Sequence, residues 1–147
     1  MKEYSKTYEI LWRDVDPNGH ARHTSYLDYA SHLRFAFMFE RGFSHHEMNK
    51  LGIGPIIISE EAKYLREVQL GEKITISYSA LGLSGDDAKF KLRHDIRNSA
   101  GKRAVRITLS AGWLDLETRK LISPPDELAA ILREVPKDKN FREMPSL

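Results

Sequence analysis

SYLDYASHLRFAFMFER, residues 25–41, decides how this chain folds. Tyr26, Tyr29, Ala30, Leu33 and Phe37 recur at helical spacing, and Phe35, Met38 and Phe39 widen the stripe beyond that of a surface helix. A helix apolar over most of its circumference expects cover on several sides. The sequence downstream supplies strands to do the covering. In KITISYSAL (73–81), Ile74, Ile76, Tyr78 and Ala80 share one face. KFKLRHDIR (89–97) sets Phe90, Leu92, His94 and Ile96 opposite charged neighbours. In RAVRITLSAGWL (103–114), Val105, Ile107, Leu109, Ala111 and Trp113 share a face. Period-two alternation of this kind marks half-buried antiparallel strands.

YSKTYEILW (4–12) reads as a first strand, GPIIISEEAKYL (54–65) as another and HHEMNKLG (45–52) as a short helix ending at Gly52. PDELAAIL (125–132) reads as a C-terminal helix with Asp126 as its N-cap, and the tail after Pro136 is expected to fray. The architecture that satisfies these elements is α+β: a curved antiparallel sheet around one long helix, in a single domain over residues 1–135 with a C-terminal tail at 136–147. One sheet around one helix leaves an open edge and a shallow core, so a homodimer or dimer of dimers is expected.

Composition excludes several functions. The 147 residues are 41% hydrophobic and 30% charged, with 23 basic against 21 acidic side chains, and no basic run points to nucleic acid. Without cysteine there is no thiolate nucleophile and no cysteine-held metal; His45, His46 and Glu47 lack metal-ligand spacing. No apolar stretch is long enough to span or anchor to a membrane, so the expected location is cytoplasmic.

The segment just before the long helix carries the chemistry. WRDVDPNGHARHTSYLDYA (12–30) holds Asp14 and Asp16, a Pro17-Asn18-Gly19 turn, His20 and His23. Asp16-Pro17-Asn18-Gly19 has the composition of a type I turn and on local grounds needs no other role. That reading leaves Asp14, His20 and His23 without explanation. Thr24 and Ser25 are placed to cap the helix, which frees Asp16. The helix start offers unsatisfied N–H groups and the positive end of a dipole, so residues 22–25 can receive an oxyanion beside Asp16.

The same residues resemble the active-site signature of the hotdog-fold acyl-CoA thioesterases, of the 4-hydroxybenzoyl-CoA and Tol-Pal-associated types. GPIIISEEAKYL, LGEKITISY (70–78) and DLETRKLISPPDEL (115–128) follow that family's order of elements. The resemblance implies Asp16 as nucleophile or general base and His23 as a second catalytic group. His23 and Thr24 would be backbone oxyanion donors, and His20 a structural position. Substrate contacts fall on Tyr26, Glu61, Lys63, Arg66, Lys89 and Lys91. Trp12 replaces a family tyrosine, and Asp86 and Asp87 stand where arginines grip the nucleotide in the hydroxybenzoyl group. His94 reads as a satisfied core histidine. The implied substrate is an acyl-CoA, with coenzyme A the only cofactor-like group and no metal. Two alternatives share the fold: an enoyl-CoA hydratase, whose Asp-to-His spacing this loop does not match, and a non-catalytic acyl-CoA-binding protein.

Overall fold

The computed structural model describes residues 3–147. Strand β1 (Ser5–Glu9) leads through a 3-10 turn at Trp12–Asp14 to helix α1 (Ser25–Glu40). A short helix α2 (His45–Leu51) follows, then β2 (Ile53–Tyr64), β3 (Lys73–Ser77), β4 (Ser79–Ser84), β5 (Lys89–Arg97) and β6 (Arg103–Asp115). Helix α3 (Asp126–Arg133) and β7 (Lys137–Met144) close the chain. The strands form one seven-stranded sheet. β1 pairs with β3, both β3 and β4 pair with β5, β5 pairs with β6, and β6 pairs with β2, all antiparallel. The alternation read from the sequence holds in β3, β5 and β6, where Ile74, Ile76, Phe90, Leu92, His94, Ile107, Leu109 and Trp113 are all buried, whereas the one strand read over 73–81 is two, β3 and β4, on either side of buried Tyr78.

α1 lies on the concave face of this sheet. Its buried stripe is Tyr26, Ala30, Leu33 and Phe37. Phe37 meets Tyr4 and Tyr78 edge-on, with centroids 4.9 and 5.2 Å away, the arrangement aromatic quadrupoles favour. The expectation that the helix is enclosed on several sides is corrected: Phe35 is 50% and Phe39 70% exposed. One sheet covers one side of a helix, and these two rings lie on the other.

α2 is closed by Ser44, whose hydroxyl accepts from the Glu47 N–H, and by Gly52 in the left-handed conformation, a capping box followed by a glycine stop. At α3, Pro125 takes the N-cap position and Asp126 is the first helical residue. The tail expected to fray is instead β7, parallel to β4 with Gly82 opposite Arg142. Gly82 makes that pairing possible, because a Cβ there would stand 2.8 Å from Met144 Cγ and 3.0 Å from the Arg142 carbonyl. The helix before β7 is tied to the β4–β5 turn by the Arg133–Asp87 ion pair, and the chain after it by the Leu147 N–H on Asp86 Oδ2 (2.9 Å).

β2 pairs only with β6 and forms an edge of the sheet. It carries a bulge, with Ile57 opposite Ala111 and Ser59 opposite Ser110, so that Ile58 has no partner of its own. Directly paired residues share a face. Ile57, Glu60, Ala62 and Tyr64 therefore face α1 with Ala111, Leu109, Ile107 and Val105, whereas Glu61 and Lys63 face away.

Candidate active site

Asp16 closes a turn with its backbone and one carboxylate oxygen. Its carbonyl accepts from the Gly19 N–H (3.0 Å) and its N–H donates to the His20 carbonyl (2.8 Å). Gly19, with φ +79°, supplies the left-handed residue that the turn requires. Asp16 Oδ1 accepts from the Asn18 and His20 N–H groups at 2.9 and 3.1 Å. Among the described residues Oδ2 has no hydrogen-bond partner. Turn and carboxylate functions thus divide between the two oxygens.

The loop is stitched to the segment before β3. Ala21 N–H donates to the Val68 carbonyl (2.6 Å) and Leu70 N–H to the Gly19 carbonyl (3.1 Å). His20 Nε2 lies 3.2 Å from Glu67 Oε2, a contact that pins the loop from outside. Asp14 points elsewhere. The Tyr29 hydroxyl donates to Asp14 Oδ2 (2.7 Å), and the Asp14 carbonyl accepts from the Arg22 N–H (2.7 Å). Burial, then the Asp14 carboxylate, raise the Tyr29 pKa and keep that hydroxyl a donor. Asp14 fastens the loop to the helix while Asp16 faces the turn.

The helix start differs from expectation in a useful way. Thr24 occupies the N-cap position but its side chain caps nothing. The Ser25 hydroxyl turns back to the Arg22 carbonyl (2.6 Å), and Thr24 Oγ1 accepts from Arg22 Nε (3.0 Å). Among the described residues, no protein acceptor meets the N–H of His23 or Thr24. These two donors sit at the positive end of a sixteen-residue helix.

His23 is exposed. Its ring lies edge-on to Tyr64 (centroids 6.2 Å) and its carbonyl accepts from the Tyr64 hydroxyl (3.1 Å). No hydrogen bond joins its imidazole to Asp16. Tyr64 also packs on Tyr26 (6.1 Å), so the end of β2 closes over the helix start. Tyr26 itself is core: 3% exposed, with its pKa pushed up to about 12 by burial.

The other residues named from the sequence lie apart. Glu61 and Lys63 pair with each other at 3.9 Å on the outer face of β2. Arg66 binds the Arg103 carbonyl (2.7 Å), and Lys89 and Lys91 stand on the outer face of β5. The sequence singles out Glu61 rather than Glu60 and leaves Tyr64 unmarked; past the bulge at Ile58 it is Glu60 and Tyr64 that face inward.

Farther along α1 the structure holds a cavity of about 420 Å³ between the helix, α2, β2 and the middle of the sheet. Phe35, Met38, Met48, Leu109, Ala111 and Trp113 supply much of its apolar wall, and Arg34 also lines it. Among the described residues no cluster of metal-ligating side chains occurs, and no helix is long and apolar enough to cross a membrane.

Several solved structures share this fold. The Staphylococcus aureus protein SAV2348, solved in complex with CoA, is 18% identical with a TM-score of 0.82, over 99% of this chain and 88% of that one. The DHNA-CoA thioesterase of the same organism is 20% identical (TM-score 0.75; 84% and 81% covered). The 1,4-dihydroxy-2-naphthoyl-CoA thioesterase Slr0204 of Synechocystis is 10% identical (TM-score 0.80; 90% and 96% covered). No curated protein sequence matches the chain significantly. At these identities the likeness is one of fold, the hotdog arrangement expected from the loop and strand order. The sequence itself matches a family over residues 10–132, most of its length. The chain belongs to the thioesterase-like superfamily.

Proposed function

We propose that this thioester hydrolase acts on an acyl-CoA, with the thioester carbonyl at the start of α1 and Asp16 as the reactive carboxylate. One observation carries the reading: two unpartnered backbone N–H groups, of His23 and Thr24, stand at an uncapped helix start a short loop away from an unpartnered carboxylate oxygen. The carbonyl oxygen accepts from those N–H groups, and the helix dipole offsets the charge that grows on it. Asp16 Oδ2 then follows one of two routes. As general base it takes a proton from water while the water oxygen attacks the carbonyl carbon. As nucleophile it forms a mixed anhydride that water hydrolyses. In both routes the C–S bond breaks, the CoA thiolate leaves and takes up a proton, and the free acid remains. A thiolate departs readily, so no stronger nucleophile is needed.

The pocket is completed by a second copy. Ile56, Ile57 and Ile58 are 37%, 44% and 56% exposed along an unpaired edge. An exposed apolar edge of this kind joins a like strand. Light scattering should give a dimer or a multiple of one, and a folded monomer at micromolar concentration overturns this part of the reading.

Saturated acyl-CoAs of graded length should release free thiol. Crotonyl-CoA converted to a 3-hydroxyacyl product with its thioester intact would replace hydrolysis by hydration. CoA esters that bind without turnover would favour the non-catalytic alternative.

A further inference from the structure

Arg34 is a cation in an apolar place with no anion beside it. It stands on α1 and lines the cavity, whose other walls come mainly from Phe35, Met38, Leu109 and Trp113. Its guanidinium donates to Ser31 Oγ (3.0 Å) and to His94 Nε2 (2.9 Å). No carboxylate among the described residues lies within ion-pair distance of it. The remaining N–H groups of a guanidinium, which carries five donors, have no protein acceptor.

His94 does not neutralise the charge. An arginine only donates, so Nε2 must be the accepting nitrogen and Nδ1–H donates to the Ser77 carbonyl (2.9 Å). His94 is fully buried and stacks on Tyr78 (centroids 5.0 Å, 14° between planes). Burial, then the neighbouring Arg34 charge, lower its pKa to about 3. The histidine is therefore a neutral post that aims the guanidinium. Tyr78 is a neutral phenol, its pKa raised by burial, so the negative charge that acts on Arg34 is that of Glu60, on the inward face of β2, which forms no ion pair with it. A desolvated, uncompensated cation is costly unless an anion arrives with the ligand.

The position fits such a ligand. At 1.5 Å per residue, Ser31 lies roughly 10 Å along the helix from Thr24 and Arg34 roughly 15 Å. Helical side chains lean toward the N-terminus, which brings the guanidinium back over Ser31, as its hydrogen bond records. An acyl chain of medium length, with its carbonyl at the helix start, ends there.

We infer that the cavity takes an acyl chain bearing a carboxylate at its far end, and that Arg34 holds this carboxylate. The inference rests on the acyl-CoA reading above for the position of the carbonyl. Arg34 is a specificity residue and takes no part in bond breaking.

The experiment compares adipyl-, suberyl- and sebacyl-CoA with hexanoyl-, octanoyl- and decanoyl-CoA by thiol release. In parallel, calorimetry measures binding of non-hydrolysable alkyl-CoA thioethers with and without a terminal carboxylate. The wild-type protein should favour the carboxylated member of the length-matched pair by ~10-fold or more in kcat/KM and in affinity, as a charge-assisted contact supplies. Arg34→Met should bring that ratio to about one. Arg34→Lys, which keeps the charge and loses the fork, should keep part of it. The wild-type comparison stands even if Arg34→Met fails to fold. Hydrolysis of both series without preference overturns the inference and leaves the thioesterase reading intact. A carboxylate preference in thioether binding without hydrolysis of any ester supports the inference and overturns that reading. Absence of binding by either thioether overturns both.

Discussion

At its N-terminal end α1 offers bare backbone: two unpartnered N–H groups, a turn, and one free carboxylate oxygen of Asp16. Three turns later the same helix offers side chains only, Arg34 with Phe35 and Met38, in a cavity lined also by α2 and three different strands. The first end is local in sequence and polar. The second is assembled from residues between 31 and 132 and is almost wholly apolar. On the function proposed above, the difference divides the labour of a hydrolase: chemistry that needs dipoles sits where a helix begins, and selection by size and shape sits where packing is made. The two ends should therefore fail independently.

The strongest break comes from Asp16→Asn. Asparagine retains the side-chain oxygen that accepts from Asn18 and His20, so the turn and the fold should persist. It supplies neither base nor nucleophile. kcat should fall by ~10²-fold or more with dimerisation unchanged. Wild-type turnover in this variant would reduce the loop to a turn. Next in size is Ala111→Leu, which fills part of the cavity without touching the loop. The ratio of decanoyl- to butyryl-CoA turnover should drop by ~10-fold or more, in line with the weight of a few methylenes in an apolar pocket. An equal loss on both substrates would show that the two ends are one site.

His23→Ala sharpens the picture of the first end. Its backbone N–H survives the change, so the loss should stay well short of the ~10²-fold that removal of an oxyanion donor costs. A loss equal to that of Asp16→Asn would bring the imidazole into the reaction, and the pH–rate profile should then lose an ionisation near pH ~6–7.

The smallest effect belongs to the second end. His94 has a folded pKa of about 3, below the ordinary histidine value of the unfolded chain. Between those values the unfolded chain holds one more proton than the folded one, so stability is lost as pH falls. Denaturant titrations between pH ~6.5 and ~4.5, above the carboxylate range, should show up to about 1.4 kcal/mol lost per pH unit from this group. His94→Gln should flatten the slope, and an unchanged slope would mean that His94 is not held neutral.

These two ends were unequally legible in the sequence. The turn at Asp16–Gly19 is closed by contacts within four residues, and turn chemistry announces it. The alternation of β3, β5 and β6 was equally plain, since each strand has one core face. Arg34 was not visible as a site, because an arginine on a helix reads as a solvent-facing residue until strands from later in the chain bury it. The family resemblance names Glu61 rather than Glu60, and nothing in the sequence announces the bulge that turns Glu60 inward. β7 was missed because LysAspLysAsnPheArgGluMet, residues 137–144, is polar on both faces, and only the open side of β4 gives it a partner.

The bulge has a further consequence for how this chain tolerates changes of length. Two residues, Ile58 and Ser59, stand there against the single Ser110. Removing Ile58 would leave Glu60, Ala62 and Tyr64 opposite Leu109, Ile107 and Val105, on the face they hold now. A deletion inside most strands swaps every later side chain between core and solvent. Here the shortened strand would keep its faces and give up only local bend and twist, so the angle at which Tyr64 closes over the helix start can drift by insertion or loss of one residue while the core stays the same.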